Sequence, residues 1–150
     1  MVKFTAFIFL FFAGGFLAFG QSNAMIDTLL EEQQATWGPA SYLVLTAAGL
    51  VQEEISAPDA VKSVADKGWF KKAGAPEEQI KLGEFSHMLM KAFGVKGGVM
   101  YSLIPGPRYA SRELFFKKII RKHSSPYRAL SGEEAVDILR MLLEWKEVRS

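Results

Sequence analysis

The chain has 150 residues, 49% hydrophobic and 13% aromatic, with 18 Lys and Arg against 16 Asp and Glu and no cysteine. Twelve Phe, three Trp and four Tyr exclude a disordered chain, and the near-neutral balance gives no general drive toward nucleic acid. Without Cys there is no disulfide staple, thiol nucleophile, thiolate metal site or lipid-modified N-terminal cysteine, so folding must rest on apolar packing.

In chain order, Met1-Val2-Lys3 is a short cationic start, and Phe4 to Phe19 is apolar apart from Thr5 and two glycines. Ala18-Phe19-Gly20 then puts small residues where a signal peptidase reads. Residues 1–20 are expected to be a secretory signal peptide, with an apolar run short of the ~20 residues that span a bilayer. An uncleaved anchor is the alternative, and the only route by which the sequence ties the chain to a membrane. Residues 21–150 are expected to form one domain, exported to the periplasm or the extracellular envelope.

Helical periodicity recurs along that domain and strand alternation does not. Met25 to Gln34 reads as a first helix, Trp37-Gly38-Pro39 as an interruption, and Ala40 to Leu50 as a buried helix closed by Gly49. Pro58 opens a short helix that Gly68 ends, and Lys71 to Pro76 is a loop. Leu82, Phe85, Leu89 and Ala92 form the stripe of an amphipathic helix stopped by Gly94. Val99 to Ile104 is apolar and of undecided type, and Pro105-Gly106-Pro107 is a turn. Arg108 to Lys122 is expected to be a helix burying Phe115, Phe116, Ile119 and Ile120. Ser131 and Glu134 form a reciprocal capping box for a last helix that buries Ala135, Ile138, Leu139 and Leu142. The fold class is therefore all-α, a bundle of about five or six helices in two related halves, about 25–95 and 99–148.

Trp69-Phe70, a loop, and Ile80-Lys81-Leu82-Gly83-Glu84-Phe85 leading into Met88-Leu89 and Ala92-Phe93-Gly94-Val95 resemble an S-layer homology repeat. Arg108 to Leu114, a loop, and Leu130-Ser131-Gly132-Glu133-Glu134-Ala135 with Ile138-Leu139 resemble a second, degenerate copy. The resemblance implies a helical module that contacts cell-wall carbohydrate. Leu82-Gly83 stands where that family usually has Thr-Arg, so its conspicuous arginine is absent here. The chain also resembles the small exported proteins of spirochaetes.

Chemistry-bearing residues are sparse. His87 and His123 are the only histidines, and neither has a carboxylate at metal-ligand spacing, so no metal and no cofactor is expected. His87 is read as a helix-flank residue and His123 as a cation at a helix end. The acidic doublets Glu53-Glu54, Glu77-Glu78 and Glu133-Glu134 read as solvated helix starts, because adjacent residues on a helix diverge by about 100°. No nucleophile elbow, phosphate loop or dinucleotide fingerprint occurs.

Two features rise above this background. Arg108, Arg112, Lys117, Lys118, Arg121, Lys122 and Arg128 stand against one acid, Glu113. They are either a solvated face balanced by Glu133, Glu134 and Asp137, or a surface for an anionic partner. Gly97 to Tyr109 flanks Tyr101 and Tyr109 with glycine and proline, giving either an aromatic-plus-arginine contact loop or a core plug. The sequence thus suggests a non-catalytic exported binding or envelope-scaffold module for cell-wall polysaccharide or an envelope protein. Its candidate binding residues are Tyr101, Arg108, Tyr109, Arg112, Lys117, Lys118, Arg121, Lys122 and Arg128. A small periplasmic enzyme with Glu84 or Glu113 as a buried acid is the alternative, and an oligomer joined through exposed Trp37 and Trp69 is a third.

Overall fold

A computed structural model describes residues 23–150, and the expected signal peptide lies outside them. The described residues are all-α: α1 (23–31), α2 (Trp37–Ala47), α3 (Ala57–Asp66), α4 (Leu82–Ala92), α5 (Val99–Leu103), α6 (Pro107–Phe116) and α7 (Gly132–Arg149). The only β pairing among them is two isolated bridges, Thr36 with Gln79 and Lys81 with Ala129. The helix beyond the expected five or six is α5, a little over one turn.

The helices start and stop for local reasons. Ser56 caps α3 by accepting from the Asp59 amide at 3.2 Å, and Pro58 sits in the first turn, where its missing N–H costs nothing. The expected interruption at Trp37-Gly38-Pro39 is instead the start of α2. First-turn amides have no partner within their helix, and those of Trp37 and Gly38 donate to the carbonyls of Glu78 (2.9 Å) and Pro76 (2.8 Å). The helix expected to run to Lys122 stops at Phe116 instead. Lys118 takes a left-handed φ of 62°, and the amides of Ile119 and Ile120 turn back to the Leu114 carbonyl at 2.9 and 3.1 Å. Ile119 and Ile120 are buried as expected, but from a loop, while Phe116 is 65% exposed. In the capping box of α7 only the serine half forms. Ser131 Oγ accepts from the Glu134 amide at 3.1 Å, and the Glu134 carboxylate turns to Arg128.

The backbone repeats. α3 begins at Ala57 and α6 at Pro107, they end at Asp66 and Phe116, and the next helices begin at Leu82 and Gly132. Every boundary is thus displaced by 50 residues. The loops between follow the same course, with a left-handed residue at Gly68 (φ 69°) and again at Lys118. The preceding helices match as well. Leu82 and Gly83 of α4 donate to Arg128 (2.9 Å) and Pro126 (2.8 Å), the counterparts of the acceptors used by Trp37 and Gly38. Left-handed Gly49 and Gly94 close α2 and α4. One unit therefore runs from Trp37 to Lys81 and the next from Leu82 to Ser131, with α7 opening a third. That phase differs from the expected halves.

The residue two places before each of these three helices is buried at their common junction. The Ile80 amide donates to the Ala35 carbonyl at 2.9 Å, and the Ala35 amide to the Leu130 carbonyl at 2.7 Å. α7 docks through its Gly132 amide on the Glu32 carbonyl, also at 2.9 Å. Such close docking explains Gly83, which stands where the resemblance led to an arginine. A Cβ there would lie 2.6 Å from the Pro107 carbonyl oxygen and 2.9 Å from the Pro126 ring. The core spans all these helices and includes Trp37, Tyr42, Phe85, Met88, Leu89 and Leu114.

Candidate functional site

α6 buries Ala110, Ser111 and Leu114 and leaves a second stripe, Arg108, Arg112 and Phe115, along its flank. After the turn at Lys118, Ile119 and Ile120 anchor the chain in the core, and Lys122 to Tyr127 returns beside that stripe. The space between is a cleft of about 420 Å³, within the range typical of small-ligand sites. Leu82 and Ile120 lie among its apolar lining, and Arg108, Arg112, Lys122, Tyr109, Tyr127 and Ser125 among its polar lining.

No carboxylate lines the cleft. Arg108 lies over the Tyr109 ring, 5.6 Å from its centroid, and the His123 ring meets Phe115 edge-on at 5.2 Å. The returning loop is held by Arg128, whose Nε donates to Ser124 Oγ at 2.8 Å and whose Nη1 donates to the Ala129 carbonyl at 2.8 Å and Glu134 Oε2 at 2.9 Å. The Glu134 carboxylate holds the guanidinium still more firmly protonated than usual.

The nine residues singled out from sequence therefore separate. Arg108, Tyr109, Arg112 and Lys122 come together in the cleft. Lys118 and Arg121 line a shallower neighbouring depression with Phe115, Phe116 and Ile120. Lys117 lies over the Trp145 indole, 5.4 Å from its centroid. Two assignments are corrected by placement. Arg128 is a clamp with its charge paired to Glu134, and Tyr101 is buried, its hydroxyl 2.8 Å from His87 Nδ1. Of the acids expected to balance the basic stretch, Glu134 does meet Arg128, whereas Asp137 pairs with Arg140.

His87 is likewise not at a helix flank. It is 1% exposed, and its Nε2 lies 2.8 Å from the Trp69 carbonyl. A carbonyl only accepts, so Nε2 carries the proton and Nδ1 accepts from Tyr101. Desolvation lowers the imidazole pKa below its usual 6.5. The two candidate acids sit apart: Glu84 Oε2 accepts from the Lys81 amide at 2.8 Å at the start of α4, whereas Glu113 faces Gly98 and Tyr101. Trp37 is 1% exposed, so it is not the surface aromatic of an oligomer interface.

Sequence reasoning missed Leu82, Phe115, His123, Ser124, Ser125 and Tyr127 as lining residues. The repeat was the available signal: a displacement of 50 maps Phe115, His123, Ser124, Ser125 and Tyr127 onto Ala65, Ala73, Gly74, Ala75 and Glu77 of the first unit, and Leu82 matches Trp37 as the first residue of its helix. Among the described residues no three His, Asp or Glu side chains cluster to hold a metal, and no helix is long and apolar enough to cross a membrane. No protein-family model, curated protein or solved structure matches the chain.

Proposed function

We propose that this chain is an exported, non-catalytic module of the cell envelope whose cleft between α6 and residues 120–127 binds an anionic, polyhydroxylated polymer of the cell wall. The observation that carries the reading is the lining: two arginines and a lysine, two tyrosines and serine hydroxyls, with no carboxylate. Guanidinium groups engage carboxylate or phosphate through paired hydrogen bonds, aromatic faces take the apolar side of a sugar ring, and hydroxyls meet sugar hydroxyls. The leader-like residues 1–20 and the resemblance of Trp69 to Val95 and of Arg108 to Leu139 to S-layer homology repeats support the same reading.

The test is co-sedimentation of the mature protein with isolated cell wall across a salt series. Binding is expected at low salt, weakening as screening shortens. Arg108→Glu with Arg112→Glu should abolish it, and Lys117→Glu should leave it nearly intact. A second variant fills the cleft without changing charge: Leu82→Trp with Ser124→Gly reproduces the Trp37 and Gly74 pair of the first unit and should also abolish binding. Wall binding that ignores salt and survives both changes would sink the proposal.

A further inference from the structure

α5 lies in the connection that the second unit makes longer. Nine residues, 48–56, join α2 to α3, whereas 14 residues, 93–106, join α4 to α6. The first unit closes its hairpin without the extra length, so the fold does not require it. The added segment is apolar and turned outward: Val99 is 75% exposed, Met100 47%, Leu103 72% and Ile104 58%. Its one buried side chain is Tyr101, which pins the segment to His87. Gly97-Gly98 on one side and Pro105-Gly106-Pro107 on the other set it off as a knob.

We infer that this knob inserts into the surface of an anionic lipid bilayer. The four exposed side chains form two adjacent i, i+4 pairs, Val99 with Leu103 and Met100 with Ile104, so apolar surface wraps a convex tip. A fluid bilayer closes around such a tip, whereas a flat protein face covers only one side of it. The charges around it fit the same partner. From Phe85 to Arg112 there is no Asp or Glu, and Lys91, Lys96, Arg108 and Arg112 supply cations. Met100 borders the same cleft as Arg108, Arg112 and Lys122, so those cations stand at the base of the knob, at headgroup level when the tip is buried. The shorter connection of the first unit carries Glu53 and Glu54 instead. Insertion requires that the chain reach a membrane surface, which rests on the export proposed above, but it does not require polymer in the cleft.

The experiment is co-sedimentation of the mature protein with vesicles of equal parts phosphatidylglycerol and phosphatidylcholine, and with phosphatidylcholine alone. Binding is expected to the anionic vesicles, falling with salt, and to be at least about tenfold weaker to the neutral ones. Leu103→Ser with Ile104→Ser should weaken binding to anionic vesicles by at least about tenfold. These residues do not line the cleft, so circular dichroism and wall binding should stay as in the parent chain. Absence of binding to anionic vesicles, or binding that the double substitution leaves unchanged, overturns the inference. So does a parent chain that is dimeric without lipid and becomes monomeric on the same substitution, because a second copy then covers the knob. A parent chain that binds anionic vesicles, loses that binding on the double substitution and binds no cell wall would overturn the polymer reading alone.

Discussion

The two helical units share a backbone and differ in what fills the space beside the returning loop. In the first unit Trp37, at the head of α2, packs edge-on against Phe70 at 5.1 Å, and its indole lies where a Cβ on Gly74 would have to be. In the second unit the counterparts are Leu82, Ile120 and Ser124, and they border an open cleft. Around it, Pro58, Asp59, Lys62, Ala73 and Glu77 of the first unit are replaced by Arg108, Tyr109, Arg112, His123 and Tyr127. Lys62 is held by Asp66 at 2.8 Å, whereas Phe116 stands at the position of Asp66 and leaves Arg112 without that partner. One unit fills the space with an indole, and the other leaves a recess with a cationic lining.

Breaking the filled unit should have the largest effect. Trp37→Leu removes a fully buried indole from a site whose neighbours are fixed by two backbone hydrogen bonds, so the loss of stability should be about 3 kcal/mol by denaturant unfolding. A loss below about 1 kcal/mol would mean that the first unit collapses onto the vacancy and that the indole is not its filler.

The helix-docking glycines sharpen the comparison. At Gly38 an added Cβ would meet the Ala57 side chain at 3.0 Å and the Pro76 carbonyl at 3.1 Å, whereas at Gly83 it would meet the Pro107 carbonyl at 2.6 Å. Gly83→Ala must push backbone aside and should cost about 2 kcal/mol. Gly38→Ala should cost less than about 1 kcal/mol, because relief of glycine's helix penalty offsets a milder crowding. Equal unfolding midpoints for the two variants would show that the second docking is no tighter than the first.

Much of the fold was legible because it is written in local signals. Apolar stripes, Pro58, Ser131 and the terminating glycines located most of the helices, and the same signals revealed that the second half echoes the first. The failures share one cause, which is that the competing partner was distant in sequence. Trp37-Gly38-Pro39 looks like an interruption unless the Pro76 and Glu78 carbonyls are known to wait for those amides. The Phe115 to Ile120 run looks helical because nothing local announces that Lys118 takes the conformation Gly68 takes. The cleft was half legible: charge density pointed to Arg108, Arg112 and Lys122, but a recess is an absence of side chain, visible only beside Trp37. His87 and Tyr101, 14 residues apart, gave no sequence sign that they meet.

That buried pair supplies the last and smallest test. Tyr42 occupies in α2 the position of His87 in α4, and its hydroxyl donates to the Glu53 carbonyl at 2.8 Å. The second unit has an imidazole there, so acid should act on one unit and spare the other. Burial is the main cause of the lowered His87 pKa, and Lys91, one turn on, adds to it, while the hydrogen bond to Trp69 opposes it. The folded-state pKa thus lies below the unfolded value near 6.5, and the unfolded chain takes up the proton first as pH falls. Stability from the neutral imidazole is full above that value and is lost as pH drops through it toward the folded pKa. The parent chain should therefore lose more stability than His87→Gln between neutral pH and pH about 5, other titrating groups cancelling in the difference. Tyr42→Phe removes one hydrogen bond and no imidazole, so its deficit should stay level over the same range. Parallel stability curves for the parent and His87→Gln would show that the imidazole is not held neutral by burial, and the asymmetry between the two units would then reduce to the cleft alone.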